Sequence, residues 1–504
     1  MVYRDVAKKL ELGAVVSLGR PKLKNILERF EVYTLLPHIP HGLRQTLRIQ
    51  HLKLSRRVRP AHRVVAAGLL LIAGTLVVAR YFSRSPLSPQ SSLLVTQEAP
   101  ALPLPDKPSI VVLPFVNMSN DPEQEYFSDG ITEDLTSDLS KISSLFVIAR
   151  NSAFTYKGKA AKMQDVSREM GVRYVLEGSV RKSDNQVRIT AQLIDATTGG
   201  HLWSERYDRN LKDIFALQDE IVQKIVTTLK LQLTLQEQGI LVRKTTDNLE
   251  AYDFYLRGMG SISRAQRDTN KEANTQARQM YEQAIKLDPT YAEAYAGLGV
   301  TYFADWFYQW NTDPAQSLER ADELARQAIA LDDSLPGPHS VLGMALAWKR
   351  QHEQAIAAGR RAITLAPNDA PGYVTLGVIF VYVGRTEEGI EMIKKGMRLN
   401  PQYPPINLMQ LGWAYRVAGQ NEEAIAYLKK AAALIPNENA THINLAISYA
   451  ELGREDEARA EVAEILRIAP QFSVYVERMR QTLPYKDPAE IERIIAGLRK
   501  AGLK

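Results

Sequence analysis

The chain has 504 residues, 24% charged and 45% hydrophobic, which is enough for three or four domains. Zero cysteines exclude a disulfide framework, a thiolate metal site, a c-type haem and a cysteine nucleophile, and eight histidines leave little for a zinc cluster. The net charge of +6 is local: residues 1–105 carry 16 Lys and Arg against 5 Asp and Glu, whereas residues 106–504 carry 47 against 52, so the basic excess flanks an apolar run instead of covering a folded face, which points to a membrane and away from nucleic acid.

Residues 1–37, MVYRDVAKKLELGAVVSLGRPKLKNILERFEVYTLLP, alternate a helical stretch with strand-like FEVYTLL and are too short to bury a core alone. The segment resembles the C-terminal end of bacterial class III adenylate/guanylate cyclase domains, in which a helix like VYRDVAKKLEL leads through a Leu-Gly turn (Leu18, Gly19) to a strand like LKNI (Leu23, Lys24) and a final strand like EVYTLL. The resemblance covers about the last quarter of such a domain. The family's metal-binding aspartates and its transition-state Asn and Arg belong upstream of this stretch, so no catalytic or metal residue is carried over. Residues 38–63 are a basic juxtamembrane segment, with Arg44, Arg48, Lys53, Arg56, Arg57, Arg59 and Arg63. From Val64 to Ala79 there is no charge, and at ~1.5 Å per residue the stretch 64–82 spans about 28 Å, the length of one transmembrane helix. Only Arg80 and Arg84 follow it closely, so the positive-inside rule puts the N-terminus in the cytoplasm. Residues 83–108, with six prolines among serines, read as an extended linker.

Residues 109–236 change character. Ser109–Phe115 (SIVVLPF) and Leu145–Arg150 (LFVIAR) read as buried strands, and Asp129–Lys141 as a helix with Ile131, Leu135 and Leu139 on one face. Met163–Met170 reads as a further helix. VRYVLEGSVRK and QVRITAQLID flank the turn Ser183-Asp184-Asn185 and predict a hairpin, GHLWSERYD adds a third antiparallel strand, and a helix over 213–233 closes the unit. SIVVLPF, YFSDGITEDL, YVLEGSVRK and LIDATTGGHLWSERYDR make this block resemble the TolB-like N-terminal domain, which implies an α/β binding or assembly module without assigned chemistry. The acids Glu125, Asp129, Glu133, Asp134 and Asp138 are expected to serve the helix, with Asp129 as N-cap and Glu133 and Asp134 in its first turn. No P-loop, GxSxG or HExxH motif occurs.

From residue 249 the sequence repeats near 34 residues, with closing prolines at 367, 401, 436 and 470, and small residues recur twelve apart: Gly343 with Ala355, Gly377 with Gly389, Gly412 with Ala424, Ala446 with Ala458. Two helices cross closely only where both side chains are small. This pattern resembles the tetratricopeptide family and predicts about six units over 249–470, expected to fold as coupled neighbours. ADWFYQWNTDPAQ, with Trp306, Phe307, Tyr308 and Trp310, reads as an insertion that serves either as a contact loop or as packing over its own solenoid. Residues 471–504 are assigned to capping helices.

The expected architecture is therefore multidomain: an α/β TolB-like domain, an all-α tetratricopeptide solenoid and one transmembrane helix. Repeats of this kind offer a groove lined by the first helix of each unit, here Phe303, Met344, Val378, Val381, Met409, Trp413 and Arg416, a lining that suits a protein or peptide ligand. Trp413 and Arg416 are expected to dominate affinity. The function expected is that of a membrane-anchored signalling or scaffold protein with its C-terminal region in the periplasm of a Gram-negative source; the alternative is an adenylate cyclase of which this chain is an N-terminally truncated form. No cofactor, metal or nucleic acid is called for, and a homodimer is compatible with the pattern.

Overall fold

The structure, a computed structural model, describes residues 14–19, 32–36, 101–119, 121–234, 237–238, 246–476 and 478–503. The chain divides into two units, Met1–Thr96 and Gln97–Lys504. In the first, β1 (Ala14–Gly19) pairs antiparallel with β2 (Val32–Leu36), Ala14 opposite Leu36. Leu18 and Gly19 thus end a strand instead of forming the expected turn. The LKNI strand, the basic segment 38–63 and the apolar run 64–82 lie outside the described residues. Among the described residues no helix is long and apolar enough to cross a membrane.

The second unit opens with an α/β domain. Its strands are β3 (Ser109–Val112), β4 (Val116–Asn117), β5 (Phe146–Val147), β6 (Tyr174–Ser183), β7 (Gln186–Asp195) and β8 (Gly200–Asn210). The sheet order is β5-β3-β6-β7-β8, with β4 continuing beside β6. β3 is parallel to β5 and β6, which explains its unbroken apolar run: Ile110, Val111 and Val112 are all fully buried because helices cover both faces. β6, β7 and β8 form the expected antiparallel meander, turning at Asp184 with φ 49°.

Four helices pack on this sheet: α1 (Glu125–Ser140), α2 (Arg150–Ala153), α3 (Met163–Met170) and α4 (Ile214–Thr228). Ile131, Leu135 and Leu139 of α1 are fully buried, as their spacing requires. Thr132, Thr136 and Ser140 share the buried side of that helix, and each returns its hydroxyl to the carbonyl four residues back. The helix begins four residues before Asp129, because Asp121 caps a preceding turn over Pro122–Gln124. Asp129 is therefore an inner helix residue bound to Lys157 Nζ at 2.6 Å, not an N-cap. α4 stops at Thr228, short of the expected 233, where Lys230 turns left-handed at φ 52°.

Six helix pairs follow: α5 (Leu249–Asp268) with α6 (Lys271–Leu287), α7 (Ala292–Phe307) with α8 (Pro314–Leu331), α9 (Pro336–Trp348) with α10 (His352–Leu365), α11 (Ala370–Tyr382) with α12 (Thr386–Leu399), α13 (Pro405–Val417) with α14 (Asn421–Leu434), and α15 (Asn439–Glu451) with α16 (Glu455–Ile468). The small pairs lie where these helices cross: a Cβ on Gly377 would meet the Gly389 carbonyl oxygen at 2.7 Å, and one on Gly412 the Ala424 carbonyl oxygen at 3.1 Å. First helices of successive pairs pack on one another, whereas each second helix packs on the first helix of the next pair, so the first-helix face is the inside of the curve. Three further helices end the chain, α17 (Phe472–Val476), α18 (Met479–Thr482) and α19 (Pro488–Lys500).

The α/β domain and the solenoid share structure. Tyr252 and Leu256 of α5 belong to the α/β core, and a Cβ on Gly130 of α1 would stand 2.5 Å from Leu256 Cδ2. Further along, two inter-pair connections hold the domain. Asn368 donates to the Ser140 and Ile142 carbonyls at 3.3 and 3.0 Å, and Asn400 accepts from Ser152 Oγ at 2.6 Å. Arg398 donates to the carbonyls of Met170, Pro103 and Gly171.

Candidate functional site: the first-helix face of the repeats

The inside of the solenoid is an aromatic strip. Phe303 and Trp306 of α7 stand 5.1 Å apart, Trp306 meets Trp348 of α9 edge-on at 4.6 Å, Trp348 meets Tyr382 of α11 at 5.7 Å, and Tyr382 meets Trp413 of α13 at 4.9 Å. Trp348, Tyr382 and Arg416 lie 34 residues apart and so occupy one position in successive repeats, which puts two rings of the strip in register; Trp413 joins it from three residues before Arg416. Edge-on and tilted contacts at these distances are the favoured aromatic geometries.

The strip has an open end and a covered end. At the open end Phe303, Met344, Trp306 and Trp348 are half-buried and Phe307 is 43% exposed. Trp306 and Phe307 do not sit on a separate loop: α7 extends through Phe307, and only Tyr308 and Trp310, stacked on each other at 4.7 Å, lie beyond it. The expected insertion is thus a longer helix whose last turn adds to the groove wall.

The covered end lies beneath the chain's own C-terminal segment. Tyr485 packs against Tyr382 and Trp413, and its hydroxyl accepts from Trp413 Nε1 at 2.7 Å. Burial pushes the Tyr485 phenol up to about 12. Arg416 is fully buried and donates to Asn444 Oδ1 and Glu490 Oε1, both at 2.7 Å. Arg493, one turn beyond Glu490, binds Glu451 of α15 at 2.7 Å and donates to the Val417 carbonyl. Val378, Met409 and Trp413 join one apolar cluster with Tyr485, Ile491 and Ile494. Val381, 1% exposed, belongs to the same cluster and also packs within its own pair, where a Cβ on Gly389 of α12 would strike its Cγ2 at 2.7 Å. Residues 471–503 therefore do more than cap the array. α19 rests on α15, where a Cβ on Gly497 would meet Ile447 at 2.8 Å, while Tyr485 and Lys486 before it reach Trp413 of α13 and Tyr382 of α11.

Trp348, Tyr382, Tyr485 and Glu490 escaped the sequence reading. The first two carried a signal in their 34-residue register with Arg416. The last two carried none, because nothing local pairs them with helices some 70 residues earlier.

The acids of α1 are held in ion pairs and hydrogen bonds. Glu125 and Asp129 bind Lys157, Glu133 binds Arg150, Asp138 binds Lys141, and Asp134 accepts from Gln218 and Tyr252. Burial lifts the Asp134 carboxyl to about 7 and that of Glu293, at the start of α7, to about 7. Among the described residues no group of three or more histidines and carboxylates is arranged to hold a metal ion.

The array contains tetratricopeptide repeats: family models described as tetratricopeptide or TPR repeats match residues 267–305 and 415–481. Over 252 residues the chain is 50% identical to the protein named "Putative adenylate cyclase 3" of Rhizobium meliloti, covering 50% of this chain and 42% of that one. Over 170 residues it is 27% identical to the type IV pilus assembly protein PilF of Pseudomonas aeruginosa, covering 33% of this chain and 61% of PilF. The chain thus spans less than two thirds of the length of these curated relatives. Solved structures similar to it include PilF, at 19% identity and a TM-score of 0.34 over 46% of this chain and 98% of that one, and YrrB, described as a TPR protein with an unusual peptide-binding site, at 16% and 0.29 over 40% and 97%.

Proposed function

We propose that this chain is the partner-binding part of a membrane-anchored signalling protein. In this reading the first-helix face of the repeats captures a protein segment, the α/β domain is a TolB-like module that braces the solenoid, and a single crossing at 64–82 leaves the N-terminus in the cytoplasm and the repeats outside it. The observation that carries the binding role is the open end of the aromatic strip, where Phe303, Trp306, Phe307 and Trp348 form a continuous apolar wall that runs on to Tyr382, the ring against which Tyr485 packs. Contiguous exposed apolar surface rimmed by polar groups marks an interaction site, and aromatic anchors supply most of the affinity there. A photo-crosslinking residue placed at Phe307 tests this in source cells. One crosslinked protein, absent when Trp348→Ala is added, is the expected result; no adduct, or an adduct indifferent to Trp348→Ala, overturns it. Topology is tested by a reporter fused after Lys504, and activity confined to the cytoplasm refutes the crossing.

A second reading, that the chain is a portion of an adenylate cyclase, is favoured by the 50% identity to the Rhizobium meliloti relative and by the strand pair β1–β2 in the segment that resembles a cyclase C-terminus. Within the stretch that resembles the cyclase end, no residue matches that family's metal carboxylates. The purified chain is expected to make no cyclic AMP from ATP with Mn²⁺, and measurable turnover would place catalysis inside it.

A further inference from the structure

The covered half of the groove holds a segment bound in the way a foreign peptide would be bound. Residues 483–487 are neither helix nor strand, and their backbone is read directly. Arg350, at the α9–α10 turn, donates to the carbonyls of Arg480 and Leu483, both at 2.9 Å, and the Lys486 amide donates to the Tyr382 carbonyl at 2.8 Å. Such main-chain contacts tolerate many sequences. Beside an exposed Lys486–Glu353 pair at 3.0 Å, selectivity sits in three side chains. Tyr485 enters the slot between Tyr382 and Trp413, Glu490 neutralises the buried Arg416, and Arg493 neutralises Glu451. The two charged contacts come from the first turns of α19, one turn apart on one face.

A fully buried guanidinium is tolerable only with its hydrogen-bonding anion in place. Here the hydrogen-bonding anion is on the tail; Glu451 of α15 feels the Arg416 charge but is tied to Arg493 and Asn421. Among the described residues the other acceptors of Arg416 are Asn444 Oδ1 at 2.7 Å and, at 3.5 Å, the Tyr485 hydroxyl, and both are neutral. Displacing the tail therefore favours an incoming segment that brings a carboxylate to Arg416 and a cation to Glu451. The aromatic slot continues from Tyr382 through Trp348 into the open strip, so an incoming chain can dock there first and advance into the covered half.

We infer that residues 479–493 are an internal ligand, and that the partner which displaces them is a protein segment of the same chemistry: an aromatic residue in extended chain, followed by a helix whose first turns present a carboxylate and, three residues on, a cation. This rests on the first-helix face being a partner site, and it adds the recognition code and the self-occupied resting state. The tail acts at an effective concentration on the order of millimolar, so it must be weakened before a competitor in trans is seen.

The test uses the full chain and a fluorescent peptide with the sequence of residues 478–503. Wild type is expected to bind it at least tenfold more weakly than the double variant Tyr485→Ala, Glu490→Gln, whose own tail has lost its anchors. Adding Arg416→Met to that variant should abolish the gain. Equal binding to wild type and double variant overturns the inference, as does no binding to a double variant that retains its helical circular dichroism. Should the double variant fail to fold, hydrogen exchange on wild type decides. Amides of 479–487 are expected to open at least a hundredfold faster than those of α13, and equal protection would make the segment permanent core. A failed crosslink at Phe307 with a positive peptide result would sink the open-strip reading alone, and the converse would sink only the internal ligand.

Discussion

Trp413 and Asp134 show how burial redirects a side chain's role. Trp413, marked by the sequence as a binding anchor, is 8% exposed, wedged between Tyr382 and Tyr485 with its indole N–H satisfied by the Tyr485 hydroxyl. Trp413→Ala is expected to cost about 3–5 kcal/mol, the range for deleting a buried tryptophan, and a urea melt of the full chain followed by circular dichroism measures it. Asp134 supplies a pH dependence. Its folded carboxyl, at about 7, holds a proton that the unfolded chain releases near the usual carboxylate value of roughly 4. The folded state binds more protons across that window, so this group's contribution to stability falls as pH rises from about 4 to about 7 and is flat above. Asp134→Asn keeps an acceptor for Tyr252 and removes the titration. The decline in Tm between pH 4.5 and 7.5 is expected to be shallower in the variant, and parallel curves would place the proton elsewhere.

At the scale of elements, the inter-pair connections do what neither helix of a pair can do. Asn368 satisfies two carbonyls at the end of α1, and its own amide donates to Ser140 O at 3.2 Å. Asn368→Ala leaves the Ile142 carbonyl without its side-chain donor in a buried position, which costs roughly 1–3 kcal/mol. The measurable outcome is faster proteolysis or hydrogen exchange in α1 with the far repeats, α13 to α16, unchanged. Uniform loss of protection would mean the connection stabilises the whole unit equally. The tail is the other element with a split role, since α19 closes the apolar end of α15 while residues 483–487 lie across the groove.

Across the molecule, the repeats are not a free-standing rod. Solenoid units bury their faces only against neighbours, and for α5 one neighbour is the α/β domain: Tyr252 and Leu256 complete a core that includes Phe127, Ile131 and Leu217. The sequence reading treated 249–504 as a unit that folds as coupled neighbours. The shared core predicts instead that a fragment of residues 249–504 exposes the α5 face, binds a hydrophobic dye and melts below the same repeats in the full chain. Identical melting of the repeats in both would show that α5 contributes nothing from across the boundary.

What the sequence alone determined follows from periodicity and steric size. A 34-residue period, glycines and alanines twelve apart, and apolar runs of strand length are local properties, and they specified the helix pairs, the crossing points and the buried strand β3, because each depends on residues within one or two turns. Composition likewise located the basic and apolar segments of the N-terminal region. What only the tertiary structure decided are contacts between segments far apart in the chain. Arg416 meets Glu490, Trp413 meets Tyr485, and Asn368 meets Ser140 and Ile142 across more than 220 residues. No period encodes these, since each rests on the chain turning back on itself. For the same reason the residues that looked most like an open groove are the ones the protein's own tail covers.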